Sequence, residues 1–512
     1  MDVDMNLILN YALVWLALLG TGDDSYTLTV LHTNDTHGRP LAFERDARRV
    51  GGIPARKSAV DQIKREEQNV LLLDAGDVCD GMPVSNLNGV EPDFIGMALL
   101  GYDAMTVGNH EFSHDLETIL GFEELAGFPF LCANLVKEAN QVHPFDPYII
   151  IERGGRKIAI IGFITPDLES MVLADRLEQL EVLDPEAVVR DLVPRLRERV
   201  DHVIVLSHCG YGYDRNRLAR SIAGIDLIVG GHSHTALFTP RRVRNTVVVQ
   251  AGCHGLFLGK VTLHFEGRDL ERFEGGLIPI NLEPDEGTQE NTQPLRLGPF
   301  DEDPEVLARL EPYLKRLSAT LMRVVGAVTE PSPAEGEGWL DRPYPNLVAD
   351  ALRWAADADC AIQNTGGVRT RLGPGEVTVN DIVTMLPFDN TVMVVSLEGR
   401  TLLEALRHSI FIAEERQRAF GAVAGMEVVI APPPERDLTV TIGGAPLRAE
   451  SVYTVAINSY MYQRGDGYVM FGKNKGVKDL GFKYSEALIR FVESRKEVTP
   501  AAEGRIRVES RR

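Results

Sequence analysis

Thr27-Leu-Thr-Val-Leu-His-Thr-Asn-Asp-Thr-His-Gly38 runs from a short apolar segment into a polar turn closed by glycine. The pattern recurs in Asn69-Val-Leu-Leu-Leu-Asp-Ala-Gly-Asp77, Ala104-Met-Thr-Val-Gly-Asn-His110, His202-Val-Ile-Val-Leu-Ser-His208 and Ile225-Asp-Leu-Ile-Val-Gly-Gly-His-Ser-His234. Apolar runs without alternation read as strands buried on both faces, and Thr246-Val-Val-Val-Gln250 adds another. Between them, Ile53 to Glu67, Asp93 to Leu100 and Pro185 to Val200 carry helical spacing with charge on one side. Strands alternating with helices predict an α/β layered domain. From Tyr148 to Thr165 two apolar runs flank Arg153-Gly-Gly-Arg156, a hairpin signal.

A chain of 512 residues, 44% hydrophobic and 25% charged, is too long for one core, so two domains are expected. Residues 26–295 form the first, residues 296–324 a linker and bridging helix, and residues 325–512 a second α/β domain. The polar stretch from Glu283 to Pro304 supplies the linker, and Leu307, Leu310, Leu314, Leu317 and Leu321 supply the helical spacing that follows. With 53 Lys+Arg against 74 Asp+Glu the formal charge is -21, which repels polyanions and argues against a nucleic-acid partner. A small anionic substrate then needs a metal or a local arginine. Five cysteines without CxxC spacing exclude a thiolate zinc site and a disulfide framework.

Residues 1–25 read as a signal segment or an N-terminal helix. Leu7 to Gly20 is apolar but too short to span a membrane, so no stable span is expected. The length suits a signal core, although Met-Asp-Val-Asp-Met ahead of it lacks the usual Lys or Arg. A periplasmic or extracellular location is expected, with a cytoplasmic one as the alternative.

Eleven of the 12 histidines precede residue 265, which assigns any histidine-based metal chemistry to the first domain. Asp35, His37, Asp77, Asn109, His110, His208, His232 and His234 fall at or just past the ends of the apolar runs. That is the edge where an open α/β sheet places its ligand. Oxygen and imidazole donors suit Mn, Zn, Fe or a related divalent ion. Asp74 reads as a brace for its loop, His32 as a sheet residue, and His254 as either a phosphate contact or a hydrogen-bonding neighbour of the site. In the second domain, Asn364 and Arg369 bracket a glycine pair in Gln363-Asn-Thr-Gly-Gly-Val-Arg369, where backbone can approach a ligand gripped by amide and guanidinium. Leu386-Pro-Phe-Asp-Asn390 and Asn458-Ser-Tyr-Met-Tyr-Gln-Arg-Gly-Asp466 complete its motifs.

In order, DxH, a GDxxDG-like run, GNHE, SH and GHSH resemble the calcineurin-like metallophosphoesterase superfamily. Together with the C-terminal motifs, the chain resembles the bacterial and animal 5′-nucleotidase family, including UDP-sugar hydrolases, over residues 27 to about 472. The resemblance implies a four-layer α/β/β/α catalytic sandwich and a C-terminal α/β nucleotide-binding domain that rotates on a hinge near residues 305 to 325. It implies two divalent ions (Mn, Zn, Fe, Co or similar): Asp35, His37, Asp77 and His234 around one, Asp77, Asn109, His208 and His232 around the other. A shared anionic ligand such as Asp77 limits the repulsion of two cations about 3.5 to 4 Å apart. His110 is the implied catalytic residue, stabilising the transition state or protonating the leaving oxygen. Relatives place an acid two residues after the glutamate of GNHE; here that position is Ser113, and Asp115, or else His114, is the expected replacement.

In the second domain the resemblance implies nucleotide contacts from Asn364 and Arg369, a base held between Phe388 and Tyr460, ribose held by Asp466 and a base-edge contact from Asn390. Asp389 and Tyr460 depart from the commoner Gly and Phe. The implied activity is phosphate release from nucleoside 5′-monophosphates, extending to nucleoside diphosphates or UDP-sugars. The alternatives are a 2′,3′-cyclic-nucleotide phosphodiesterase and 3′-nucleotidase on the same metals, a sulfur-oxidation hydrolase, and a binding protein with a weakened centre.

Overall fold

The computed structural model describes residues 24–509 apart from 46–47, 173, 283–294, 296, 316–320, 331–341, 389, 417–420 and 433–436. The segment before residue 24, most of the polar linker and position 389 therefore lie outside the described residues.

Most strands of the first half divide between two six-stranded sheets, while Phe43–Arg45 with Arg48–Val50 and Leu135–Lys137 with Leu180–Val182 form two-stranded pairs. One six-stranded sheet contains β1 (Ser25–Thr33), β2 (Val70–Asp74), β3 (Ala104–Thr106), β4 (Phe130–Leu131) and a long antiparallel hairpin of Phe257–Glu266 and Asp269–Pro279 beside β1.

 The other contains β5 (Tyr148–Arg153), β6 (Arg156–Ile164), β7 (His202–His208), β8 (Leu227–Gly230), β9 (Arg241–Val243) and β10 (Thr246–Val249), in the spatial order β9-β10-β8-β7-β6-β5. β1 to β4 run parallel, as do β6, β7, β8 and β10, while β5 and β6 form the hairpin expected around Arg153-Gly-Gly-Arg156.

The two sheets pack face to face through Leu28, Val30, Leu71 and Leu73 of the first and Ile158, Ile160, Leu206 and Val229 of the second. This double burial explains the unbroken apolar runs. On the outer face of the first sheet lie α1 (Ile53–Glu66), α2 (Glu91–Leu100) and α3 (Leu116–Ala126); α4 (Pro185–Arg197) covers the outer face of the second. The result is the four-layer α/β/β/α order. In-register pairing of Thr33 with Asp74, Asp74 with Met105, and Ser207 with Gly230 brings the ends of five strands to one edge. The helix foreseen as a bridge, α5 (Pro304–Lys315), seats Val306 and Leu310 in the core shared with α1 and α2, so its described part packs on the first unit.

The second unit has a five-stranded sheet, with α6 (Pro343–Ala356), α7 (Val379–Met385) and α9 (Tyr484–Arg495) on one face and α8 (Gly399–Arg416) on the other. Leu321 already belongs to its core. Among the described residues no helix is long and apolar enough to cross a membrane.

Candidate metal centre and the pocket facing it

The turns after β1, β2, β3 and β8, and the end of β7, gather the expected donors into three overlapping groups: Asp35, His37 and His234; His37, Asp77 and His110; Asp77, His208 and His232. His37 Nε2 and His234 Nε2 are 3.0 Å apart, and His234 Nε2 is 3.4 Å from Asp35 Oδ1. Asp77 Oδ2 lies 3.1 Å from His208 Nε2 and 3.9 Å from His37 Nε2, so one carboxylate oxygen faces both outer groups. Asn109 Oδ1 joins His232 Nδ1 at 2.9 Å.

The ring orientations fit divalent ions. His208 Nδ1 donates to Ala75 O (2.6 Å) and His37 Nδ1 to Cys79 O (3.2 Å), which turns each Nε2 lone pair inward. His208 Nε2 is buried and faces Asp77 Oδ2 at 3.1 Å, the placement expected of two atoms that would share a cation. Burial, and then the Arg369 guanidinium, push the His37 ring well below the usual imidazole range, which favours the neutral form that binds metal. Burial alone would lower His208 and His234 too, but Asp77 raises His208 to about 10 and Asp35 raises His234 to about 9. For Asp77, burial works upward and is overcome by His208 and His110, which hold its carboxyl well below the usual range. Acid donors and basic donors are thus matched without metal by protons, which a divalent ion would displace.

Asp35, His37, Asp77, Asp80, His232, His234 and His254 all adopt φ between 47° and 70°. Such left-handed backbone is uncommon outside glycine and concentrates where structure serves a site. Two glycines let the loops meet: a Cβ on Gly76 would fall 2.7 Å from Gly108 N and 2.9 Å from His208 Nδ1, and one on Gly231 would fall 2.6 Å from Ala75 O. Asp74 braces its turn as expected, accepting from Gly76 N (2.8 Å) and Thr33 Oγ1 (2.5 Å). His32 is buried and its Nδ1 has no hydrogen-bond partner, so it is a sheet residue held by packing. His254 donates its backbone N–H to Asp35 O (2.7 Å) and sets its ring 5.9 Å from that of His37.

Two residues escaped the sequence reading. Glu111 is fully buried and accepts four backbone N–H groups: Val78 (2.8 Å) and Cys79 (3.1 Å) on Oε1, Asp77 (3.0 Å) and Gly108 (2.6 Å) on Oε2. It ties the Asp77 turn to the Asn109 turn, and its only signal was its place after Asn-His. The second is Asp80. His110 Nδ1 donates to Asp80 Oδ2 (2.7 Å), and Ser113 Oγ donates to the same oxygen. This corrects the expectation for Asp115, whose carboxylate caps α3 by accepting from Thr118 N (2.8 Å) in an exposed position. An N-cap aspartate is committed to the first turn of its helix, and β-region backbone at Asp115 aims it there. His114 packs its ring against Phe122 instead.

The second unit faces this centre across a cavity of about 840 Å³ lined by Asp77, Asn109, His110, His232 and His234 on one side and Asn364, Arg369, Phe388, Asn390, Tyr460 and Asp466 on the other. Asn364 Nδ2 donates to Asp466 Oδ2 (3.0 Å), and Asn458 Nδ2 donates to Asn364 Oδ1 (2.8 Å). Tyr460 OH accepts from Asp466 N (3.2 Å). Arg369 Nη2 reaches His37 Nε2 (3.2 Å) and its guanidinium lies 5.8 Å from the centroid of the Phe388 ring. Phe388 in turn stacks on His110, with centroids 5.6 Å apart and planes at 28°.

Comparison with known proteins follows the same division. Residues 28–236 match the calcineurin-like phosphoesterase family and residues 324–473 the 5′-nucleotidase C-terminal domain. A 5′-nucleotidase of Vibrio parahaemolyticus is 31% identical over 92% of this chain and 90% of its own length. Protein UshA of Yersinia enterocolitica is 31% identical over 92% of each. The crystal structure of a 5′-nucleotidase precursor from Thermus thermophilus superposes with a TM-score of 0.82 at 28% identity, covering 95% of this chain and 100% of that one.

Proposed function

The chain belongs to the 5′-nucleotidase family of metal-dependent phosphoester hydrolases, and on that premise we propose that it releases phosphate from nucleoside 5′-monophosphates at a two-metal centre. One observation carries the reading: the cluster of metal donors and the aromatic and polar side chains of the second unit open into one cavity. Asp35, His37 and His234 would hold one ion, Asn109, His208 and His232 the other, and Asp77 would serve both. Bound divalent ions lower the pKa of a water and neutralise charge on phosphate oxygens.

The protein's own groups do the rest. Neutral Asn109 leaves the donor set short of negative charge, which favours an anionic ester. Arg369, reaching the His37 edge of the centre, adds a guanidinium where phosphate oxygens arrive and offsets the chain's net charge of -21. His110, with Nδ1 held by Asp80, presents Nε2 to the cavity to hold a proton for the leaving oxygen. Phe388 and Tyr460 offer ring faces to a base, while Asn364 and Asp466 offer amide and carboxylate to base or ribose. Nucleoside diphosphates and UDP-sugars present the same base and ribose, and the proposal extends to them.

The test is phosphate release, with Mn or Zn and then with chelator, from 5′-AMP, 3′-AMP, 2′,3′-cyclic AMP and glycerol phosphate. Chelator-sensitive preference for 5′-AMP is expected; equal turnover of glycerol phosphate would remove the second unit from recognition. Export is proposed on the Leu7 to Gly20 stretch, and N-terminal sequencing of the mature protein tests it: an intact Met1 refutes a removed signal.

A further inference from the structure

We propose that Asp80 is the positioning residue for His110 and that Ser113 holds it in place, the two together replacing an acid at position 113. The proposal rests on the phosphohydrolase reading above. Asp80 lies in the turn after β2, is 8% exposed and lines the cavity, and its Oδ2 receives both His110 Nδ1 (2.7 Å) and Ser113 Oγ. Ser113 cannot drift, because its backbone N–H donates to His110 O (3.1 Å) in the short turn Glu111–Ser113. The Asp80 turn is pinned as well: Gly38 N donates to Val78 O (2.6 Å), Met82 N to Gly38 O (2.8 Å) and Gly81 N to Asn86 Oδ1 (2.9 Å).

With Nδ1 committed to Asp80, His110 Nε2 points back toward the donors, 4.0 Å from Asp77 Oδ2. A carboxylate on the far nitrogen fixes the tautomer and ring angle of a catalytic imidazole. The substitution pattern has a simple electrostatic logic. An acid at 113 would stand against Asp80, and two carboxylates sharing one site repel, so position 113 carries a hydroxyl where position 80 carries the acid.

This logic predicts reciprocal rescue. Asp80→Asn should lower kcat for 5′-AMP by about 10- to 100-fold with KM within about twofold. Ser113→Asp alone should also lower kcat, because it adds a second acid beside the first. The double variant Asp80→Asn with Ser113→Asp should recover at least about tenfold over Asp80→Asn. Bound metal, counted by plasma mass spectrometry, should stay at the wild-type value in all three.

Wild-type kcat in Asp80→Asn, or a double variant no better than Asp80→Asn with full metal content, overturns the proposal. Should Asp80→Asn not fold, Ser113→Ala decides: a kcat loss of about threefold or more at unchanged KM and metal content supports the contact, and unchanged kcat overturns it. Running each variant on glycerol phosphate as well separates the two claims. A wild-type enzyme that turns over this ester but not 5′-AMP defeats the nucleotide reading, and the rescue is then read on glycerol phosphate, whose alkoxide also needs a proton to leave.

Discussion

Replacing Glu111 with Gln tests whether one buried carboxylate holds the metal-donor turns together. Each of its oxygens accepts two backbone N–H groups, so a glutamine amide, whichever way it is turned, sets an NH₂ against two donors. Hydrogen bonds to a charged group contribute about 1.5–3 kcal/mol each, and two are lost, for about 3–6 kcal/mol before relaxation. Allowing the turns to shift, the expected loss is about 2–4 kcal/mol. Hydrogen exchange followed by mass spectrometry reads it locally: amides of residues 77–79 and 108 should exchange about 30 to 900 times faster, while the second unit stays unchanged. Metal affinity should fall with it, since Asp77 and Asn109 sit on the loosened turns. Exchange within about threefold of wild type in those peptides, with metal affinity unaltered, would refute the reasoning.

Asp115→Ala should cost about 0.5–2 kcal/mol of stability through the lost N-cap of α3 and leave kcat near wild type, measured by urea denaturation and phosphate release. Phe388→Ala should lower kcat/KM for 5′-AMP by about 5- to 150-fold, the equivalent of about 1–3 kcal/mol of stacking, and should change glycerol phosphate turnover far less. His202 is buried between Tyr26 and Phe265, and burial, then Arg197, lower its pKa to about 4. The unfolded chain takes up this proton near pH 6.5, so stability present above that value is lost as the pH falls toward 4, by about 1–2 kcal/mol at pH 5. His202→Phe should flatten that slope in urea titrations at pH 5 and pH 7; parallel slopes would refute it.

The first half of the fold was legible because both sheets bury both faces, which writes strands such as Val70–Asp74 and His202–His208 as unbroken apolar runs. The candidate metal donors were legible because each follows such a run, and strand register then brings them to one edge. What could not be read were pairings across loops. Asp80 and Ser113 are 33 residues apart and meet only because β2 and β3 are neighbours. Asp115 was nearer to His110 in sequence, yet the helix it starts claims its side chain. Glu111 looked like part of a motif and proved to be the anchor of two turns. The leucines from Leu307 onward carried helical spacing but not the choice of surface, and α5 lies on the first unit because Val306 and Leu310 complete the core beside α1 and α2.

The most direct test of a shared two-metal centre is to strip the chain with chelator, titrate it with Mn, count ions per chain after gel filtration and follow phosphate release from 5′-AMP alongside Asp77→Asn. Two ions per chain at full activity are predicted, with Asp77→Asn holding fewer and losing activity by at least about a hundredfold. Full activity in the stripped chain, or in Asp77→Asn, would contradict it.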